Sequence, residues 1–225
     1  SLYVDQWDWE MSIFPEDRTI QYLKYIVRKI YEVMKRTEYI VVENYPVIKP
    51  ILPHDITFIH AEELLQAYPH LDPKGRENEI CRRHGAVFVM GIGGTLSNGE
   101  KHDGRAPDYD DWSTLNEEGF YGLNGDILVW NPVLETAFEL SSMGIRVDKD
   151  SLLRQLGSAG QSHKKELYWH KRLINGDFPI SVGGGIGQSR LCMFYLRKAH
   201  IGEVQSSIWD EQTKSACKAN NILLI

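Results

Sequence analysis

The sequence has little cysteine, no long apolar run, no internal repeat and no dense basic tract. Each absence narrows what the chain can be. Three cysteines in 225 residues, Cys81, Cys192 and Cys217, are odd in number and match no metal-binding spacing. Neither a disulfide framework nor a zinc module is expected, and reduced thiols in a cytoplasmic protein fit them. The lack of a long apolar stretch argues against a membrane-spanning helix. The net charge is −6, and basic residues cluster only in pairs such as Arg82-Arg83 and Lys164-Lys165. That argues against a nucleic-acid partner, which needs a basic face. No secretory or transit segment is legible. With 42% hydrophobic residues, the chain reads as one domain over 1–225, large enough to bury a core without staples.

The chain opens on "SLYVDQWDWE", without methionine and already alternating like the middle of a strand. The expectation is that an upstream part of the natural protein is missing. Residues 2–10 read as a strand. Ile20, Leu23, Val27, Ile30 and Met34 recur at helical spacing and predict a helix from Glu16 to Arg36. Residues 39–51, with two prolines, read as a loop with a short extended piece. A strand and a short helix follow in "HDITFIHAEELLQAYP". A second short helix lies in "DPKGRENEICRRHG", with Pro73 at its start and Gly85 past its end. "AVFVMGIGG" is a buried strand, and residues 95–112 are polar and turn-rich. "LNGDILVWNPVLETAFELSSMGIRVD" reads as two strands turning near Asn131-Pro132. Helices are predicted over 148–156, 165–174, after the glycine run, and near the C-terminus. Strands and helices mix without strict alternation, so the fold class is α+β, with a mainly antiparallel sheet flanked by helices.

The run "SVGGGIGQSR" concentrates bare backbone just before a helix, with Arg190 in the helix's first turn. Glycine gives unusual dihedrals and close approach. A helix N-terminus gives unpaired N–H groups. The pair suits an anionic or nucleotide ligand, and equally a tight turn that binds nothing. A P-loop is excluded because Gly187 is followed by Gln188 rather than lysine. A dinucleotide fingerprint is disfavoured by the position near the C-terminus. An arginine here can lie flat on a purine while its charge faces phosphate. Asp126 and Glu139, on neighbouring strands of a hairpin, can converge on one Mg²⁺ bridging ATP oxygens. Arg146 lies seven residues beyond Glu139, an odd spacing that puts the two on opposite pleats. A bulge in "SSMG" is needed to bring them to one site.

Together "YVDQWDWE", "RAPDYDDWS", "GLNGDILVWNPVLETAFELSSMGIRVD" and "GGGIGQSR" resemble the ammonia-dependent asparagine synthetases, the aspartate–ammonia ligases. The resemblance runs from Leu2 to about Trp209. It implies a class II aminoacyl-tRNA synthetase-like catalytic core, lacking here the N-terminal portion that carries most of the dimer interface. It implies synthesis of L-asparagine from L-aspartate, ammonia and ATP with Mg²⁺, in a cytoplasmic homodimer. By the same resemblance Gln6 holds aspartate's main-chain groups and Arg146 clamps its side-chain carboxylate. Arg190 stacks on adenine, with Gly185 and Gly187 beside the nucleotide. Asp126 and Glu139 serve metal and ATP, Ser142 faces substrate or ATP, and Asp110 lines the aspartate or ammonia site as a candidate base.

The chemistry so implied has two steps. The carboxylate attacks the ATP α-phosphate to give β-aspartyl-AMP, and ammonia then displaces AMP. Arginines and metal stabilise the charge that moves. No cysteine sits where a glutaminase nucleophile would. Two other classes stay open: an aspartyl- or asparaginyl-tRNA synthetase, and a catalytically inactive interaction protein on the same fold.

Overall fold

The computed structural model describes residues 2–225. Its centre is a six-stranded sheet whose strands, in chain order, are β1 (Gln6–Ser12), β2 (Thr57–His60), β3 (Ala86–Met90), β4 (Asn124–Asn131), β5 (Thr136–Ile145) and β6 (Ser181–Gly187). The spatial order is β1-β6-β5-β4-β3-β2. All neighbours are antiparallel except β2 and β3, which the crossover through α2 (Ala61–Ala67) and α3 (Pro73–His84) makes parallel. The mainly antiparallel α+β expectation therefore holds.

One sheet face is covered by α1 (Ile20–Asn44) and α6 (Gln188–Tyr195). Leu23 and Val27 from α1 meet Phe88, Ile127, Met143 and Val182 from the sheet, with Phe194 from α6. The other face is divided. Over β2–β4, α2 and α3 bury Val87, Val89 and Leu128 against Leu64 and Ile80. Over β4, β5, β6 and β1 that face carries polar side chains and glycine. A smaller cluster joins α4 (Lys149–Ser158), through Leu152 and Leu156, to Leu173 of α5 (Tyr168–Ile174). A last helix, α7, spans Glu211–Ala219. Among the described residues no helix is long and apolar enough to cross a membrane.

Several boundaries differ from the sequence expectations, among them the start of α1 at Ile20 rather than Glu16. The first strand begins at Gln6, four residues later than expected. Residues 165–174 hold the end of a 3-10 turn and then α5 rather than one helix. The long helix runs to Asn44, past the expected stop at Arg36. Local propensity in "TEYIVVEN" is poor for helix, but Glu38 continues the inward stripe of Leu23, Val27, Tyr31 and Met34. Its buried carboxylate accepts from Ile51 N (3.0 Å), Leu52 N (3.1 Å) and Arg197 Nη2 (2.8 Å). A tertiary network therefore carries the last turns. The helix over Pro73–His84 forms as expected: Asp72 caps it through Gly75 N at 2.7 Å, and Gly85 leaves it at φ +77°.

Candidate active site

The bulge that the hairpin needed exists, one step earlier than expected. Ile127 pairs with Ser141 and Leu128 with Glu139, so Leu140 is the extra residue. The consequence is a change of pleat. Leu140 turns into the core beside Ile127, while Glu139 joins the face of Ser142, Gly144 and Arg146. Asp126, opposite Ser142, belongs to this face too. β1 adds Gln6, Asp8 and Glu10 at period two, opposite Gly187, Gly185 and Gly183.

The glycines of β6 serve close approach. None of them has a positive φ. A Cβ at 185 would stand 2.7 Å from Asp8 Oδ1 and 2.8 Å from Gln6 Oε1. A Cβ at 183 would overlap Glu10 Oε2 and stand 2.5 Å from Arg146 Nη2. Bare backbone thus lets the polar side chains of β1 lie down over β6.

The helix N-terminus that follows is already occupied. Asp5 accepts from Ser189 N at 3.3 Å and Ser189 Oγ at 2.8 Å, and its carbonyl from Gln188 N at 3.1 Å. Asp5 thus takes the first two N–H groups of α6 and sets a carboxylate at the helix end, which leaves Arg190 as the cation there that faces the cleft. Arg190 is half-exposed and donates from Nη1 to Glu139 Oε1 at 3.2 Å.

A cleft of about 450 Å³ opens over this half-sheet. It brings together Gln6, Glu139, Ser142, Gly185, Gly187 and Arg190 from the sequence-derived set. It also contains Asp8 and Arg105, which sequence reasoning did not select. Asp8 was legible in principle, two residues from Gln6 on the same pleat. Arg105 lies in the turn-rich stretch, where no periodicity points to it. Its guanidinium donates to Asp126 and to Ser142 Oγ. Burial opposes its charge, and Asp126 and Asp110 more than offset that cost. Asp126 thus meets the cleft through Arg105. Burial, and then the nearby Asp126, push the Glu139 carboxyl above the usual carboxylate range.

Besides Asp126, two more expected residues lie outside the cleft wall. Asp110 is fully buried beneath it. Its Oδ1 accepts from Arg146 Nη1, and its Oδ2 has no hydrogen-bond partner, the nearest cation being Arg105 Nε at 3.6 Å. Burial pushes its carboxyl upward, against the pull of Arg105 and Arg146. Arg146 faces away from the cleft. Its Nε and Nη2 grip Glu10 at 2.9–3.2 Å, Nη2 also donates to Tyr109 Oη at 2.8 Å, and the guanidinium stacks 3.7 Å from the Tyr109 ring centroid.

The segment bearing these groups is pinned by backbone. Asp110 bridges to Arg146 across an isolated antiparallel contact, and Val147 N donates to Tyr109 O at 2.9 Å. Gln155 of α4 holds it from below, donating to Pro107 O (2.9 Å) and Asp110 O (3.0 Å). The neighbouring Asp111 is an anchor: it accepts from Ser113 N and Thr114 N at 2.9 Å and pairs with Arg18.

No group of three or more His, Cys, Asp or Glu side chains suited to a metal occurs among the described residues. Asp126 and Glu139, diagonal across β4 and β5 on one face, are a two-carboxylate set. Magnesium commonly takes one or two carboxylates and completes its shell with water and phosphate oxygens, so the set is of a kind that suits Mg²⁺, with one oxygen of Asp126 already given to Arg105.

The chain matches the family model described as aspartate-ammonia ligase over residues 1–221. It is 62% identical to an aspartate–ammonia ligase of Parabacteroides distasonis and 61% identical to one of Bacteroides fragilis. Each alignment covers all 225 residues, and the chain spans 65% of the length of these curated relatives. Among solved structures, it resembles asparaginyl-tRNA synthetase from Pyrococcus horikoshii complexed with asparaginyl-adenylate, with a TM-score of 0.60 at 16% identity. That likeness covers 87% of this chain and 44% of the other. Aspartyl-tRNA synthetase from Entamoeba histolytica gives a TM-score of 0.60 at 15% identity, covering 90% and 42%. The fold is thereby shown to be that shared with these class II synthetases.

Proposed function

Because the chain belongs to the aspartate–ammonia ligase family, we propose that the protein joins ammonia to the side-chain carboxylate of L-aspartate. ATP is the activating substrate, β-aspartyl-AMP the intermediate, and L-asparagine, AMP and pyrophosphate the products. One observation carries the reading. A single cleft holds two arginines of different setting, Arg190 at its half-exposed mouth and Arg105 in its depth, over a floor of glycine. An exposed guanidinium suits a purine face and phosphate charge. A half-buried one, paired with carboxylates, suits a carboxylate that must be fixed in line with the α-phosphate.

The residues then take roles. Gln6 and Asp8 receive the polar main-chain groups of aspartate, Asp8 matching its ammonium. Arg105 meets the side-chain carboxylate, with Ser142 beside it. The resemblance assigned that clamp to Arg146, but Arg146 lines the neighbouring space while Arg105 lines the cleft. Arg146 instead holds Asp110 in place. Gly185 and Gly187 let the nucleotide approach the strand, and Arg190 covers it. Asp126 and Glu139 would hold Mg²⁺, which supplies charge neutralisation at the phosphates. After ammonia attacks, Asp110 takes the proton that the new C–N bond makes acidic.

The 225 residues act as one catalytic unit, supported by a sheet that runs unbroken from β1 to β2. A cytoplasmic homodimer is the setting that the family supports, and three free cysteines fit a reducing compartment. Size-exclusion chromatography with light scattering, at the protein's natural length, tests the dimer. The function is tested by aspartate-dependent exchange of pyrophosphate into ATP without ammonia, followed by asparagine and AMP release on adding ammonia. Both are expected without tRNA. Exchange that leads to product only with tRNA overturns the proposal.

A further inference from the structure

A second chamber lies on the same side of the sheet, beyond Tyr109. Its volume, about 440 Å³, is close to the cleft's 450 Å³. Trp169, Leu173, Phe178 and Pro179 form its apolar wall, and Glu10 and Arg146 its polar end. Tyr109 lines both spaces. The partition is a single layer of side chains. Arg146 stacks on the Tyr109 ring from the chamber side and holds Asp110 Oδ1, while Arg105 approaches Asp110 Oδ2 from the cleft side. That second oxygen is buried and unpartnered.

We propose that this chamber is the ammonia port: NH₃ enters along its apolar wall and is delivered past Tyr109 to the acyl carbon. The inference rests on the adenylate reading above. With aspartate and ATP joined in the cleft, its mouth is filled, and a third reactant needs its own approach. The chamber admits a small neutral amine. Its two carboxylates are already taken, Glu10 by Arg146 at 2.9 Å and Asp108 by Lys164 and His170 at 3.1 and 3.0 Å, and Arg172 lies over the Phe178 ring, so nothing there holds ammonium in its charged form. The apolar walls disfavour the charged form as well, so ammonium leaves its proton to bulk water and enters as NH₃. The nitrogen lone pair then forms the C–N bond, Asp110 accepts one proton from the adduct, and the acyl C–O bond breaks with its electron pair departing on AMP.

The test fills and opens the chamber without touching the cleft. Leu173→Trp, at the protein's natural length, is expected to raise the KM for ammonia about tenfold or more. Aspartate-dependent pyrophosphate exchange, which uses only the cleft, should stay within about twofold of the parent. Trp169→Ala should let methylamine replace ammonia at unchanged exchange. An unchanged ammonia KM in a folded Leu173→Trp protein overturns the port, as does exchange falling in step with ammonia use. If Leu173→Trp does not fold, Trp169→Ala decides alone: methylamine use supports the port, and its absence overturns it. A parent protein with no exchange at all fails the adenylate reading itself, whatever the chamber does.

Discussion

One face of the sheet is built in two ways. Over β2, β3 and β4 it is apolar, and two helices close it with Leu64 and Ile80. Over β5, β6 and β1 the same alternation presents Ser142, Gly185, Asp8 and Glu10. The changeover falls at Asp126, which has Val89 beside it on β3 and Ser142 on β5. Strand geometry is the same on both sides of that line. What differs is whether the side chains seek each other or seek charge. The covered half holds the fold through area removed from water. The open half holds a set of guanidinium–carboxylate contacts that removes stability unless every partner stays in place.

The largest effect should come from breaking the open half at its centre. Arg105→Ala takes the cation from Asp126 and Asp110 together. Aspartate-dependent pyrophosphate exchange should fall by about 10³ or more, as when a positioned charge is removed from a reacting site. Arg105→Lys should not restore it, because a point charge cannot reach Asp126 and Ser142 in one fork. A lysine variant with near-parental exchange would exclude Arg105 as the clamp on the aspartate side chain.

The next pair sets one half against the other. In Gly183→Ala the added methyl overlaps Glu10 and crowds Arg146. Exchange or ammonia use should drop about 10- to 100-fold, since the positioned groups shift by a fraction of an ångström. Ile80→Ala empties a site in the covered half. It should cost about 2–5 kcal/mol of unfolding free energy by urea titration. Its kinetic constants should be parental at a temperature where it remains folded. The comparison breaks if Ile80→Ala damages kinetics and Gly183→Ala does not.

The two halves were also unequally legible. The covered half could be read from its residues: "AVFVM" is apolar throughout, and Pro73 and Gly85 bracket α3. In the open half the motifs located β1, the hairpin and β6, because glycine and acid stand out against apolar neighbours. Other features stayed hidden. The bulge at Leu140 rests on a choice of core partner, and nothing in "FELSSM" marks which residue is skipped. Arg105 sits in a loop whose course is fixed by Gln155, forty-odd positions away, through hydrogen bonds that leave no local period. Arg146 stood out in the sequence as a candidate, but its partners did not. The sequence order of Glu10, Asp110 and Arg146 says nothing of which acid takes which donor. The extension of α1 to Asn44 was hidden for the same reason, since Glu38 finds Arg197 only in the folded chain.

The smallest effect sharpens the comparison from the covered side. His60 ends β2, is buried, and stacks on Phe120 with ring centroids 4.5 Å apart. Its Nδ1 accepts from Glu62 N at 3.0 Å, so the proton sits on Nε2, which donates to Tyr121 O at 2.9 Å. Both nitrogens are committed in the neutral form. Burial, against the smaller pull of the Tyr121 carbonyl, lowers its pKa below the ordinary 6.5. The sign follows. Below about pH 6.5 the unfolded chain takes up a proton that the folded chain refuses, so stability falls as pH falls, until the folded pKa is passed. The slope from this one residue cannot exceed about 1.4 kcal/mol per pH unit. His60→Asn keeps an oxygen to accept from Glu62 N while removing the titration. Urea unfolding at pH 8, 7, 6 and 5.5 should show a shallower acid limb in this variant, by at most one proton. Identical slopes would move the acid sensitivity out of the covered half and into the carboxylates of the open one.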